Sequence, residues 1–199
     1  HERVTYLNLS RNFGKEAALL AGLEHAQGEY VAVMDADLQD PPKLLKEMLD
    51  GIIQEEYDVV GTRRTTREGE PPIRSWFANL YYKLNNAISD VYIEEGARDF
   101  RVMTQDVVQS IISLPERNRF SKGLFSWVGF KVKYLDYPNI ERGEGESSWS
   151  FKSLFNYAIE GLISFSELPL TIATWLGILA FIASFIYGVY IVINTLIWG

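Results

Sequence analysis

The chain has 199 residues and a formal net charge of −7, a length typical of one domain of ordinary size. It contains no cysteine and only two histidines, which excludes disulfides, thiolate metal sites and histidine-rich metal sites. Any site for a hard cation must therefore use oxygen ligands. The acidic balance argues against a nucleic-acid-binding protein, which usually carries a basic face.

Strand-like and helix-like segments alternate along the first third of the chain. The predicted segments are strands at 4–9, 30–34 and 57–64 and a helix at 15–28. A second helix follows the middle strand, with Asp40 as its N-cap and Pro41 at its first position. This βαβαβ order predicts an open, mostly parallel α/β sheet with flanking helices.

The middle of the chain continues the same mixture of elements. The predictions there are a loop at 63–72, a helix at 73–90, a strand at 98–103, a helix at 104–114 capped by Thr104, a strand at 130–137 and a loop at 141–150.

The end of the chain has a different character. No charged residue follows Glu167, and the uncharged run exceeds the roughly 20 apolar residues that cross a bilayer. Trp175 and Trp198 near its two ends suit the two membrane interfaces. We therefore predict a transmembrane helix at 168–199; a buried core helix is the alternative. The aromatic segment at 150–167 predicts an amphipathic helix in the headgroup region, or else a helix packed on the soluble domain.

The motif Asp35-Ala-Asp37 follows the second predicted strand, and ligands of open α/β sheets bind at the carboxyl ends of strands. In extended backbone, residues two apart face the same side, and two carboxylates on one side repel unless a cation lies between them. Mg²⁺ or Mn²⁺ would satisfy them, and Gln39 offers a further oxygen. The alternative is a polar strand end followed by a capped helix.

Cationic residues follow the later elements. Arg63 ends the third predicted strand, Arg74 begins the next helix, and Lys152 begins the helix before the uncharged run. Such residues suit phosphate groups, although Arg63 and Arg74 could equally belong to a solvated basic loop. Asp99 lies between two arginines in "ARDFRVM"; it could form an ion pair, or it could orient or deprotonate an acceptor.

Several motifs in order resemble the family-2, GT-A-type polyprenyl-phosphate glycosyltransferases, which include bactoprenol glucosyltransferases and dolichol-phosphate mannose synthases. The matching segments are "LSRNFGKEAALLAGLEHAQGEYVAVMDADLQDPP", "DVVGTRR", "RDFRVM", "LPERNRFSKGLFSWVGF" and "GESSWSFKSLFNYAIEGLISFSELPL". The last of these is closer to the bacterial bactoprenol branch. The resemblance implies metal-dependent transfer of a sugar from a nucleotide sugar, UDP-glucose or a related UDP-hexose, to undecaprenyl phosphate, with inversion at the anomeric carbon.

The resemblance also implies roles for individual residues. These are Asp35, Asp37, Arg63 and Arg74 for the nucleotide sugar, Asp37 and Gln39 for Mg²⁺ or Mn²⁺, Asp99 as the catalytic residue that serves the acceptor, and Lys152 as a looser match for the acceptor phosphate. It implies three parts: a GT-A-like catalytic domain at 1–149, an interfacial helix at 150–167 and a transmembrane helix at 168–199. The catalytic domain is expected on the cytoplasmic side of the cell membrane, and a homo-oligomer is left open.

Two expected parts of the family pattern are absent from the sequence, an opening "SIVIPxYNE" strand with its "VNDGSxD" segment and a second membrane helix after Gly199. We therefore expect a piece of a longer chain. The rival hypothesis is a catalytically silent, transferase-like membrane scaffold or binding protein. A processive polysaccharide synthase is a weaker alternative, because the sequence lacks a "QxxRW"-type segment.

Overall fold

The computed structural model of the chain describes residues 4–37, 39–65, 72–89, 91–116, 119–138 and 151–199. The helices are α1 Lys15–His25, α2 Leu45–Glu55, α3 Pro72–Ile88, α4 Gln105–Ser113, α5 Ser121–Trp127, α6 Phe151–Ser164 and α7 Leu168–Trp198. The strands are β1 Tyr30–Val33, β2 Val59–Arg64, β3 Ala97–Thr104 and β4 Val132–Tyr137, and a 3-10 turn at Pro42–Leu44 precedes α2. The predicted loop at 141–150 lies outside the described residues.

The four strands form one open sheet in the order β1-β3-β2-β4. β2 and β4 are parallel, and β3 runs antiparallel to both β1 and β2. Three strands therefore point the same way and one is reversed. The predicted open α/β sheet is confirmed, but its pairing is mixed, since two of the three strand pairs are antiparallel. The reversal brings the amino end of β3 to the edge where the other three strands have their carboxyl ends.

Helices cover both faces of this sheet. Successive side chains of a strand point to opposite faces, and Val59 and Val60 of β2 accordingly enter two different core clusters. One cluster joins Val59 to buried residues of α1, α4 and α5, and the other joins Val60 to Met48 and Ile52 of α2. This layering is the α/β architecture that the alternating elements predicted.

Thr104 is the N-cap residue of α4, as predicted, but makes no side-chain cap hydrogen bond. Two other local predictions are wrong. Residues 4–9 form no strand, and Val4 and Tyr6 are largely exposed; an alternating pattern becomes a strand only where a partner strand and a core face are available. Asp40 does not cap α2, which has no side-chain cap hydrogen bond. Asp40 is instead only 2% exposed and accepts a 3.0 Å hydrogen bond from the Tyr137 hydroxyl at the end of β4.

The C-terminal helices differ in how they pack. Phe165, just after α6, packs its ring against those of Phe120 and Trp127, so this end of α6 rests on the α5 region. α7 has 31 residues, about 46 Å at 1.5 Å per residue, and none of them is buried. It is long and apolar enough to span a membrane, and it is not a core helix of the described structure.

Candidate active site

The edge of the sheet with the carboxyl ends of β1, β2 and β4 collects the polar residues that the sequence analysis singled out. Val33, the last residue of β1, pairs with Arg101, so Asp35 follows β1 beside Asp99 of β3. Arg63 of β2 pairs with Ala97 and, on its other side, with Asp136 of β4. The predicted donor-side residues Asp35 and Arg63 and the predicted acceptor residue Asp99 thus share one edge.

Lys15, the first residue of α1, joins the two carboxylates. Its Nζ lies 2.9 Å from both oxygens of Asp35 and 2.5 Å from Oδ2 of Asp99. The sequence analysis assigned Lys15 only to a helix. Its partners lie 20 and 84 residues further along the chain, so no local pattern could have identified the contact.

Asp99 is ionised in this environment. Burial alone would raise its pKa, but the positive charges of Lys122, Lys15 and Arg101 more than offset that effect and lower the pKa to about 2. A carboxylate with so low a pKa is a poor proton acceptor near neutral pH. The surrounding charges therefore do not suit Asp99 to deprotonate an acceptor, and its orienting role stays a prediction.

Arg101 fixes the backbone at Asp99. Its buried guanidinium lies 3.7 Å from the centre of the Phe125 ring of α5, and burial lowers the pKa of this guanidinium. Nε donates to the carbonyl oxygen of Asp99 at 3.3 Å and Nη2 to that of Arg98 at 2.9 Å. The start of β3 is therefore held by a buried side chain that the sequence analysis had not assigned.

Asp37 lies in a turn and not in the extended backbone of a strand, and Gln39 follows outside any strand. β1 ends at Val33, residues 36 and 37 are in a turn, and the Gln39 backbone N–H donates to Asp37 Oδ1 at 3.2 Å. The argument that places both aspartates on one side of a strand is therefore wrong, because the strand ends too early. The turn nevertheless keeps Asp37 and Gln39 together.

The donor set of this turn has oxygen chemistry suited to a hard divalent cation. The described residues contain no group of three or more His, Cys, Asp or Glu side chains that could hold a metal ion, so an all-protein cage does not fit. A site with one or two carboxylates does fit, because Mg²⁺ usually takes its remaining ligands from water and substrate phosphates. Asp37, with Gln39, remains the candidate for such a site.

Arg63 is bound to two carboxylates. Nη1 lies 2.5 Å from Glu94, and Nε and Nη2 donate to the two oxygens of Asp136 at 2.7 and 2.9 Å. The hydrogen bonds that Arg63 donates to Asp136 and Glu94 raise the pKa of its guanidinium. The guanidinium has five N–H donors, so these contacts leave donors for a phosphate, and its predicted role stays a prediction.

The two other predicted cations are located only by backbone. Arg74 lies in the first turn of α3 and Lys152 in the first turn of α6. Their side chains are outside the described part of the structure, so their predicted contacts with phosphate also stay predictions.

Helix α5, which the sequence analysis did not identify, connects this site to the C-terminal helices. The backbone N–H of Ser121 donates to the Glu16 carboxylate at 3.1 Å, and the Ser121 hydroxyl makes a second, short bond to it. Lys122 acts on Asp99 electrostatically. Gly123 lies against Phe165, so close that a Cβ would be 2.2 Å from that ring. Ser121 and Gly123 thus contact α1 and Phe165, and Lys122 between them donates to the carbonyl oxygen of Ala97 in β3 at 3.4 Å.

The profile of the family "Glycosyl transferase family 2" matches residues 1–112, more than half of the chain. The chain belongs to glycosyl transferase family 2. The resemblance that the motifs indicated is thereby confirmed at the level of the family. The matched range includes the whole Lys15–Asp35–Asp99 arrangement, so these contacts belong to the glycosyltransferase domain.

Named relatives cover most of this family-2 chain. A protein of Bacillus subtilis (strain 168) named as a glycosyltransferase, CsbB, is 49% identical over 93% of this chain and 56% of its own length. A prophage bactoprenol glucosyl transferase homolog of Escherichia coli (strain K12) is 41% identical over 98% of this chain and 64% of its own length. The bactoprenol glucosyl transferase of Shigella phage SfV is 42% identical over the same shares. The chain therefore spans about three fifths of the length of these relatives.

Proposed function

We propose that this family-2 glycosyltransferase moves a hexose from a nucleotide sugar, with UDP-glucose as the first candidate, to the phosphate of a membrane polyprenol such as undecaprenyl phosphate. The names of the Escherichia coli and Shigella phage relatives support a bactoprenol-type acceptor and glucose. The donor nucleotide and the stereochemical course rest on the motif pattern of the sequence.

The observation that carries the proposal is the contact path from the sheet edge to α7. Lys122 of α5 donates a 3.4 Å hydrogen bond to the carbonyl oxygen of Ala97, two residues before the predicted acceptor residue Asp99, and the next residue, Gly123, lies against Phe165. Phe165 precedes the start of the long apolar helix by only three residues. In this proposal the phosphate of the acceptor meets Asp99 at the membrane surface, and anchoring enzyme and acceptor on one surface raises the effective concentration.

The proposed reaction is a single in-line displacement. A phosphate oxygen of the polyprenyl phosphate attacks the anomeric carbon of the sugar, and the bond from that carbon to the diphosphate oxygen breaks. The products are an inverted sugar–phosphate linkage and a free nucleoside diphosphate. The acceptor, with a second pKa near 6, is already mostly a dianion at neutral pH, so no proton has to be removed by the protein.

Because no proton has to be removed, the proposed role of the site residues is to position and neutralise charged groups. Asp99 is anionic, and its contact with Lys15 places an N–H donor group between the two sides of the site. Cationic residues offset the repulsion between the anionic acceptor and the anionic donor, and Arg63 and Arg74 are proposed to do so on the donor diphosphate. Asp37 and Gln39 would hold a divalent cation, which when bound supplies charge neutralisation of the diphosphate.

The direct test is sugar transfer by the full-length protein in vesicles that contain undecaprenyl phosphate. Labelled UDP-glucose, UDP-galactose and UDP-N-acetylglucosamine are supplied separately with Mg²⁺ or Mn²⁺, and the lipid extract is examined for a labelled sugar–phosphate product. We expect a labelled lipid from one sugar in clear preference, with the anomeric configuration inverted. No lipid product from any nucleotide sugar with metal present would refute the proposal, and nucleotide binding without turnover would favour the silent, transferase-like scaffold.

A further inference from the structure

We propose that Lys15 is a positioning residue of the glycosyltransferase site, which joins Asp35 on the donor side to Asp99 on the acceptor side and so holds the two substrates in register. This inference rests on the proposed function, because it assigns donor and acceptor sides to the two carboxylates. It adds a residue that neither the motif pattern nor the relatives' names assign.

The geometry of Lys15 is that of a bridge. The ammonium is within 2.9 Å of Asp35 and 2.5 Å of Asp99. Asp99 lies in β3, and Asp35 follows the antiparallel neighbour β1 by two residues. A lysine ammonium has three N–H donors, so two directed bonds to two carboxylates are within its capacity. Without this cation the two carboxylates, brought together by strand register, would repel each other.

The base of the Lys15 side chain is itself fixed. Its neighbour Glu16 is bound to both the backbone N–H and the hydroxyl of Ser121 on α5. Further along α1, Leu23 is buried in the core cluster that includes Val31 of β1. The ammonium is therefore presented from a helix anchored to the same sheet and to α5, which makes its position a property of the fold.

The alternative is that Lys15 forms an ion pair that only stabilises the fold. The two roles of Lys15, positioning and stabilising, differ in what they predict for turnover. The Lys15 side chain is 43% exposed, whereas that of Asp99 is only 16% exposed. Because removing one partner of a largely buried ion pair destabilises a protein, the fold of each variant is verified by circular dichroism and turnover is compared in folded protein. A role in positioning predicts a loss of turnover in that folded protein; a surface ion pair predicts none.

The test compares Lys15→Met, Lys15→Arg and the control Lys46→Met in the full-length protein with undecaprenyl phosphate vesicles and the active UDP-sugar. Lys46 is a suitable control, because it also pairs with a carboxylate, Asp50, but lies on the exposed side of α2. We expect Lys15→Met to lower kcat about 100-fold, the size of effect that small misplacements of reacting groups produce. The nucleotide-sugar Kd, measured by calorimetry, should change much less, and Lys46→Met should match the wild type in both.

Two further variants identify the partner through which Lys15 acts. Lys15→Arg keeps the charge and should recover part of the lost kcat. The double variant Lys15→Met with Asp99→Asn should be no slower than Asp99→Asn alone, because residues that act as a unit are not additive.

The outcomes separate this inference from the proposed function. If the wild type transfers sugar and Lys15→Met keeps the kcat of Lys46→Met, or if the two changes multiply, the positioning role is overturned and the function stands. If the wild type neither binds a nucleotide sugar nor transfers one, the function fails and the positioning role fails with it.

Discussion

Two clusters of three charged side chains lie at the same edge of the sheet, each with one cation between two carboxylates. In one, Lys15 bridges Asp35 and Asp99; in the other, Arg63 bridges Glu94 and Asp136. The two cations are similarly exposed, at 43% and 36%, but the carboxylates differ, since Asp99 is 16% exposed and Asp136 is 47% exposed.

The two clusters also differ in what they connect. Arg63 and Asp136 are paired neighbours in the parallel β2–β4 ladder, so this ion pair reinforces a contact that the sheet already makes. Lys15 comes from a helix and joins the ends of β1 and β3. The same set of charges therefore stabilises a sheet edge in one place, and in the other connects the two sides of the proposed site.

Asp37, like Lys15, is assigned to the proposed catalytic site. We expect its removal to lower the transfer rate more than any other change. Asp37→Ala should lower metal-dependent transfer about 1000-fold, because a catalytic cation contributes several kcal/mol of charge stabilisation. The measurement is the transfer rate against Mn²⁺ concentration, with circular dichroism to verify the fold. Asp50→Ala, which removes an exposed carboxylate of α2, is the control. Equal rates for the two variants would show that Asp37 has no role with metal.

Each of the two clusters can be disrupted by neutralising one of its carboxylates, Asp99 in the first and Asp136 in the second. Asp99→Asn should lower kcat by about 100- to 1000-fold, the cost of losing one directed electrostatic group in a site. Asp136→Asn should change kcat less than about fivefold, because exposed ion pairs contribute about 0–1 kcal/mol. Similar losses in the two variants would mean that Asp136, and not only Arg63, belongs to the catalytic machinery.

The dependence of the rate on pH sharpens the role of Asp99. Because its pKa is lowered to about 2, Asp99 stays anionic through the physiological range, and the stability it contributes is lost only as the pH falls below about 4 toward 2. The acid limb of kcat should instead follow the acceptor phosphate, with an apparent pKa near 6 and about a tenfold loss for each unit below it. Asp99→Asn should keep this limb at a lower plateau. A limb that disappears in the variant would make Asp99 the titrating group.

The sequence predicted the parts of the fold that depend on local patterns. Continuous apolar runs identified β1 and β2, and the uncharged tail identified α7. The strand order β1-β3-β2-β4 could not be predicted in this way, because the insertion of β3 between β1 and β2 depends on contacts between distant segments. At 4–9 a strand was predicted that the structure does not contain. The local sequence pattern is typical of a strand, but no partner strand pairs with it among the described residues.

The site residues show the same difference between local patterns and distant contacts. Asp35, Asp37 and Asp99 carry motif signals and were predicted from them. Lys15 and the α5 residue Ser121 were missed, because each acts through partners far away in the chain. Asp40 was misassigned for the same reason. Its place before two prolines is typical of a helix cap, whereas its partner is the hydroxyl of Tyr137, 97 residues later.

Removing the hydrogen bond between Asp40 and Tyr137 is expected to have the smallest effect of these changes. It should lower the stability of the fold and leave kcat unchanged. Tyr137→Phe leaves a buried oxygen of Asp40 without its 3.0 Å hydrogen bond, while Arg98 at 3.6 Å remains as a neighbouring charge. An unsatisfied buried acceptor costs about 1–3 kcal/mol, so the variant should unfold at a lower temperature than the wild type.

Tyr92→Phe, at an exposed tyrosine, is the matched control and should leave the melting temperature unchanged. Because the Tyr137 hydroxyl donates to Asp40, which has no assigned contact with a substrate, kcat should be retained in both variants. A loss of kcat in Tyr137→Phe without a lower melting temperature would instead extend the catalytic site along this edge to Tyr137.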